Sequence, residues 1–457
     1  MKFHYSIYFY TFFILSIVYP QYISIIPEIQ YKFTSDSEDY FFQNMKMYDY
    51  ELKINGKYKF EKINILVSLG YHLLDGTGIS NSKPIGLSDF TRSKGLYWTE
   101  SPPGIARDQS NYYVSDMKLE YGDSVNYFYI NKWNKKWGPG INSLTISDKM
   151  PNIFYFGFKW KLKNNIYFEY FHGKLKSGIS NSDYLEHYNN IGTRNFDINR
   201  NIVGHRIDWY PNKKIIISAS ELVVYANRSI EMTYLLPFVP FFSLQNYLGD
   251  IDNVIMNFDI KYRFSKSLDL YTSFLMDEWS PPYTFDIDNH NWFGWQVGLA
   301  LNKQFNQFRF EYTWTDHRIY RHRFPVNDFY SWGYPIGFWA GPHAQELYID
   351  YNMKFGRNHI KIIFSDAKRG ELTSIMLEDQ YNRPNDQPVY KRFSNIYEKK
   401  VLYNVSFYRY IKENIKVNIL FFWVDWKNAG FNPYNQSNDN VNNIQKKSIS
   451  LEVNYIF

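Results

Sequence analysis

The chain closes on Ser448-Ile449-Ser450-Leu451-Glu452-Val453-Asn454-Tyr455-Ile456-Phe457. Ile449, Leu451, Val453, Tyr455 and Phe457 take every second position, with Ser448, Ser450, Glu452 and Asn454 between them and Ile456 the one exception. Successive side chains of a strand point to opposite faces, so this stretch predicts a strand with one apolar and one polar face. A strand of that kind ending on an aromatic residue is unusual for a soluble sandwich and suits a sheet whose outer face meets lipid.

Working outward, about eighteen segments share this period of two. Tyr22 to Phe33 is the first. Phe308, Phe310, Tyr312 and Trp314 alternate without a fault against Arg309, Glu311, Thr313 and Thr315. Val254, Met256, Phe258 and Ile260 alternate against Asn257, Asp259, Lys261 and Arg263, and Phe154 to Lys161 does the same. Short turns are expected at Asn55-Gly56, Gly122-Asp123, Lys163-Asn164-Asn165, Pro211-Asn212, Ser265-Lys266, Gly356-Arg357 and Glu413-Asn414. Longer connections lie between these hairpins, the longest running from Gly70 to Asn111. A soluble all-β protein has no reason to sort its loops by length. A barrel crossing a membrane does, because every second connection lies on the same side.

The fold class expected is therefore all-β, a transmembrane antiparallel β-barrel of about eighteen strands of the outer-membrane type. Charged residues on the polar faces, Lys159, Glu169, Arg206, Asp208, Asp259 and Glu311 among them, are then lumenal, because lipid does not accept them at mid-depth. The interior is expected to be wet or filled by polar plug segments. Glu221 stands against the pattern, sharing the phase of Ile215, Ile217 and Ala219. Either a bulge changes the register there, or Glu221 lies at the rim beyond the apolar band.

Composition agrees. Aromatic residues make up 21% of 457 residues, with 43 Tyr and 38 Phe, types that favour strands and membrane girdles, although an AT-rich genome would also raise Tyr. With no cysteine, disulfides, thiolate nucleophiles and cysteine-bound metals are excluded. A net charge of +6 permits an anionic glycan or lipid phosphate as partner without requiring one. Residues 1–21 read as a secretory signal, with Lys2 before the apolar Ile7 to Val18 and a poor cleavage site, an uncleaved anchor helix being the alternative. Residues 22–457 then form a single barrel domain. No later run reaches the ~18 apolar residues of a spanning helix.

No Gly-rich phosphate loop and no metal-ligand spacing is present, so no catalytic residue, metal or cofactor is expected, and the chain is read as not an enzyme. Three stretches are more specific than a generic barrel: Trp137-Gly138-Pro139-Gly140 followed by Asn142-Ser143-Leu144 and Ser147; His205-Arg206-Ile207-Asp208-Trp209 with Glu221 and Tyr225; and Glu311-Tyr312 with Gly341-Pro342-His343. At these residues the chain resembles the capsule-assembly outer-membrane proteins of the Wzi family, from about Leu119 to Phe457. It departs from them in lacking an obvious periplasmic helical bundle. The resemblance implies an eighteen-stranded barrel in the cell outer membrane that attaches capsular polysaccharide or exopolysaccharide in a lectin-like way.

The expected partners are surface polysaccharide, outer-membrane lipids including lipopolysaccharide, and the barrel-assembly machinery, with no nucleic acid. Trp137, Arg206, Asp208 and Glu311 are the candidate glycan-binding residues, since sugars are held by paired hydrogen bonds to charged groups and by an aromatic ring under their apolar face. A lumenal salt ladder uses the same charges without a ligand, and the WGPG turn also suits a tight loop folded into the lumen. Trp98, Trp279, Trp332 and Trp339 are loop aromatics suited to sugar stacking or to the membrane girdle. A porin or glycan-uptake channel is the alternative reading. The closing strand also makes a prediction. Deleting Tyr455 to Phe457 should leave unfolded chain in the periplasm. Heat-modifiable protein recovered from the outer membrane after that deletion would contradict it.

Overall fold

The structure, a computed structural model, describes residues 22–35, 47–76, 109–188, 192–277, 292–331, 334–372, 392–429, 431, 433 and 441–457. In chain order its strands are β1 (Tyr22–Thr34), β2 (Met47–Phe60), β3 (Ile63–Gly76), β4 (Gln109–Gly122), β5 (Tyr127–Trp133), β6 (Ile153–Lys163) and β7 (Ile166–Tyr188). There follow β8 (Gly192–Asn212), β9 (Ile215–Ala226), β10 (Asn253–Arg263), β11 (Leu268–Asp277), β12 (Trp292–Lys303) and β13 (Asn306–Thr315). The last are β14 (Tyr330–Ser331), β15 (Tyr334–Pro335), β16 (Ala344–Phe355), β17 (Asn358–Gly370), β18 (Tyr397–Lys412), β19 (Ile415–Ala429) and β20 (Asn442–Ile456). β14 and β15 form a small ribbon of their own, and the other strands make one antiparallel sheet of eighteen. β20 pairs with β1, Val453 against Tyr31 and Leu451 against Phe33, so the sheet closes and leaves no edge. The chain is an outer-membrane β-barrel. No helix among the described residues is long and apolar enough to cross a membrane.

The alternation decides the faces. On β20, Ile449, Leu451 and Tyr455 are exposed on the outer surface, while Ser448, Ser450 and Asn454 are buried inside. On β13, Glu311, Thr313 and Thr315 are buried inward. Short turns join alternate pairs at one end. Asp123 Oδ1 accepts from the amides of Val125 and Asn126, Asn212 Oδ1 from Lys214 and Ile215, and Ser265 Oγ from Ser267 and Leu268.

Two turns differ from expectation. Asn55-Gly56 lies inside β2, and the chain reverses at Glu61-Lys62, where Glu61 takes φ 45°. The apolar phase Tyr50, Leu52, Ile54 continues through Gly56 to Tyr58, so an unbroken strand keeps those side chains on one face, whereas a hairpin at Asn55-Gly56 would shorten both strands. At the second, the chain turns at Lys213-Lys214, just after Pro211-Asn212. β7 and β8 are the longest strands among the described residues, a hairpin pairing out to Tyr188 and Gly192. β3 and β4 take the two ends of the Gly70 to Asn111 connection, and residues 77–108 lie outside the described residues, as do 1–21, Trp98, Trp279 and Trp332.

Inward segments fill much of the interior, as one of the two expectations had it, but the filling is largely apolar and not polar. An apolar core occupies much of it, built from inward wall residues Tyr155, Phe171, Ile202, Leu222 and Leu275 and from loop residues Trp137, Leu144, Ile146, Tyr320, Phe329, Ile336 and Phe338. Burial of these apolar side chains is what seats the loops inside the wall.

No bulge changes the register at Glu221. β9 pairs with β10 in unbroken register around it, so Glu221 stays on the outer face, and the connection after β9 lies down over it. That connection carries a 3₁₀ turn (Met232–Leu235) and the helix α1 (Phe241–Tyr247). Tyr234, Phe241 and Leu244 pack against the outward Phe168, Tyr170, Val203, Val223 and Tyr225. Glu221 Oε2 accepts from the Phe241 amide at 2.6 Å and lies 3.0 Å from His205 Nε2.

Candidate functional site

Strand phase sends Arg206 and Asp208 of β8 into the lumen and His205 to the outside, so the wall divides the HR-x-D stretch. Arg206 Nε donates to Asp208 Oδ1 and Nη1 to Asp259 Oδ2, both at 2.7 Å. Ser218 Oγ donates to Asp208 Oδ1, and Ser273 Oγ and Asn257 Nδ2 donate to Asp259 Oδ1. This ladder joins β8 to β11 across the inner wall. The outward residues of the same stretch do something else: His205 and Glu221 hold the connection after β9, and Tyr225 Oη accepts from the Glu231 amide at 3.0 Å.

Above the ladder sits the segment between β5 and β6, residues 134–152. Trp137 is buried, meeting Phe171 edge to face at 5.1 Å and lying over Gly204, one inward position from Arg206 on the long-loop side. Its indole Nε1 has no hydrogen-bond partner among the described residues. Lys135 lies 5.0 Å from the Trp137 ring centre and 2.5 Å from Glu169. Burial pulls its ammonium below the ordinary lysine value, with Glu169 opposing.

By Ile141 and Asn142 the chain has reached β13, five strands round the wall from β8. Glu311 on β13 is wholly buried, and its carboxylate accepts from the amides of Ile141 (2.7 Å) and Asn142 (2.8 Å), from Gln296 Nε2 (3.0 Å) and from Tyr271 Oη (2.7 Å). Tyr271 reaches Glu311 from two strands away because Gly298 stands between them; a Cβ there would meet the Tyr271 ring. The last glycine of the WGPG turn has a similar reason: a Cβ on Gly140 would fall on Gln296 Oε1 and Glu311 Oε2. Asn142 Nδ2 donates to Glu346 Oε2 at 2.6 Å, and Trp339 Nε1 donates to the same oxygen at 2.6 Å. Trp339 is therefore inside the barrel, not on an outer loop.

The connection from β13 to β16, residues 316–343, seals this arrangement. Tyr320 Oη donates to Leu144 O at 2.6 Å and accepts from the Phe338 amide, and the Ser147 amide donates to Ile336 O at 2.7 Å. The Gly341-Pro342-His343 stretch returns the chain to the wall, where the His343 amide donates to Asp316 O.

The four candidate residues thus fall into two arrangements. Arg206 and Asp208 bond to each other in the wall ladder, while Trp137 and Glu311 hold one inward loop, Trp137 near its start and Glu311 at its middle through Ile141 and Asn142. Sequence reasoning missed Lys135, Glu169 as its partner, Gln296, Tyr271 and Glu346. Gln296 and Glu346 share the inward phase of their strands, a usable signal, but only the strand register shows that they meet Glu311 at one height. Among the described residues no cluster of His, Asp or Glu could hold a metal ion.

No protein-family model and no curated protein matches this chain. Solved structures do. Wzi, an outer membrane protein involved in group 1 capsule assembly in Escherichia coli and a carbohydrate-binding β-barrel, aligns at 12% identity with a TM-score of 0.56, over 94% of this chain and 84% of that one. The outer membrane protein OprD from Pseudomonas aeruginosa aligns at 9% identity and a TM-score of 0.46, over 95% of this chain and 94% of that one. At such identities the likeness is one of fold, and it agrees with a closed eighteen-stranded barrel in the outer membrane.

Proposed function

We propose that this barrel binds or organises capsular polysaccharide or exopolysaccharide at the cell surface, as a lectin-like, non-enzymatic element of capsule assembly. The observation that carries this reading is the packed lumenal core, in which Glu311 and Glu346 hold the 134–152 segment by its backbone and side chains. Loops fixed in this way make a rigid support for a surface that grips a polymer, because little ordering cost remains to be met on binding. The likeness in fold to a carbohydrate-binding barrel of capsule assembly supports it further. Trp137 and Glu311 serve the glycan through the loop they position, and Arg206 and Asp208 through the wall that supports it.

A second reading, a porin or glycan-uptake channel, is favoured by one observation. From β18 round to β4 much of the inner face is polar: Ser406 bonds Asn418, Thr34 bonds Ser450, and His72 lies between Asp49 (3.1 Å) and Glu51 (3.3 Å).

Cells separate the two. Removing the chain should release polysaccharide into the medium on washing, with growth on sugars unchanged. Asp208→Asn with Trp137→Phe should leave the barrel inserted and heat-modifiable but loosen the polysaccharide. If that double variant holds its glycan like the parent and loses only thermal stability, these residues are scaffold. Slow growth on oligosaccharides, with polysaccharide retained, would favour the channel.

A further inference from the structure

We propose that residues 229–249 form a membrane-embedded apron, a non-strand segment lying against the outside of the barrel within the outer leaflet, with its free face against lipid acyl chains. The position follows from the wall. Glu221 lies six residues along β9 from its start at Ile215 beside the short turn, about 15 Å up a tilted strand and so within the ~25 Å apolar band of an outer-membrane barrel. The Phe241 amide that meets Glu221 places the start of α1 at that depth. Phe238 stacks on the outward ring of Phe168 at 4.6 Å, so the segment continues the lipid-facing surface of β6 to β9.

Its chemistry suits hydrocarbon. Between Ser229 and Gly249 the sequence holds one charged residue, Glu231, in a chain that is 21% charged overall. The Glu231 carboxylate turns back onto the amide and hydroxyl of Thr233. Met232 is 71% exposed, Phe238 58% and Tyr247 82%, with Leu236 and Phe242 exposed beside them.

Irregular backbone at membrane depth persists only where its polar groups find partners, and the wall supplies them. Glu221 accepts from the Phe241 amide, and Tyr225 Oη accepts from the Glu231 amide. Tyr170 Oη donates to Tyr234 O, and His205 Nδ1 lies 2.9 Å from Pro237 O. Pro237 and Pro240 have no N–H to satisfy. In turn the segment covers His205 and Glu221, polar groups that lipid would not accept bare. The outward half of the HR-x-D…E…Y stretch is therefore the clasp of this apron.

The absence of cysteine allows single spin labels without background. Met232→Cys, Phe238→Cys and Tyr247→Cys would be labelled, reconstituted in proteoliposomes and compared with Phe421→Cys on the outer wall of β19 and Lys266→Cys in a short turn. Collisional broadening by oxygen should exceed that by a water-soluble nickel chelate several-fold at all three sites, as at Phe421. Nickel accessibility equal to that at Lys266 would overturn the proposal. So would protection from both reagents with dipolar broadening between copies, which would assign this face to a second protomer. Met232 and Tyr247 are so exposed that their variants carry the test if Phe238→Cys fails to fold.

Discussion

Glu311→Ala should cost the barrel about 3–5 kcal/mol and free the inward loop, the range seen when one partner of a buried polar network is removed. The reason is specific. The substitution leaves the amides of Ile141 and Asn142, the Tyr271 hydroxyl and the Gln296 amide without their common acceptor in a place water does not reach. The measurement is a urea titration of the folded, fast-migrating band on unheated gels, beside protease susceptibility of residues 134–152. Glu311→Gln keeps one acceptor oxygen but turns an NH₂ group toward the loop amides, so it should fall between parent and Glu311→Ala. A midpoint unchanged in Glu311→Ala would mean that the loop is held by its apolar burial alone.

Replacing Lys136 to Lys149 with a short Gly-Ser link should have the largest effect on permeability. The segment carries Trp137, Leu144 and Ile146 into the core and supports Tyr320 and Ile336 of the second inward loop. Without it the core loses its centre, while the wall keeps its strand hydrogen bonds. A wall of eighteen strands is wide enough for an aqueous channel. Planar-bilayer recordings should therefore change from near baseline in the parent to steady, porin-like currents in the deletion variant. Large currents from the intact protein would move the channel reading to first place.

Much of the wall was legible in the sequence because lipid on one side and polar side chains on the other enforce a strict period of two. β13 shows this without a fault, and β20 shows it with Ile456 the one exception. The turn at Asn55-Gly56 misled because a local hairpin signal competed with a phase that runs on to Phe60, and the phase prevails where a whole strand's lipid contacts depend on it. The lumenal core was legible only in part. The WGPG turn suits a loop folded into the lumen, and it does fold there, but Leu144, Ile146, Phe329 and Ile336 sit in loops with no period, and nothing in one dimension tells which of their side chains form a core. Glu221 did give a signal, an acid in the outward phase, but its resolution lay in residues about twenty positions later, in Phe241. Likewise the HR-x-D stretch could be read as one site, whereas strand parity puts His205 outside and Arg206 inside.

The most direct measurement is binding of polysaccharide purified from the same cells to the intact barrel in nanodiscs, followed by interferometry. Saturable binding is expected, weakened by Glu311→Ala and by removal of residues 136–149, since both release the loop platform. A barrel that stays folded, passes sugars across a bilayer and shows no saturable binding would contradict the attachment role.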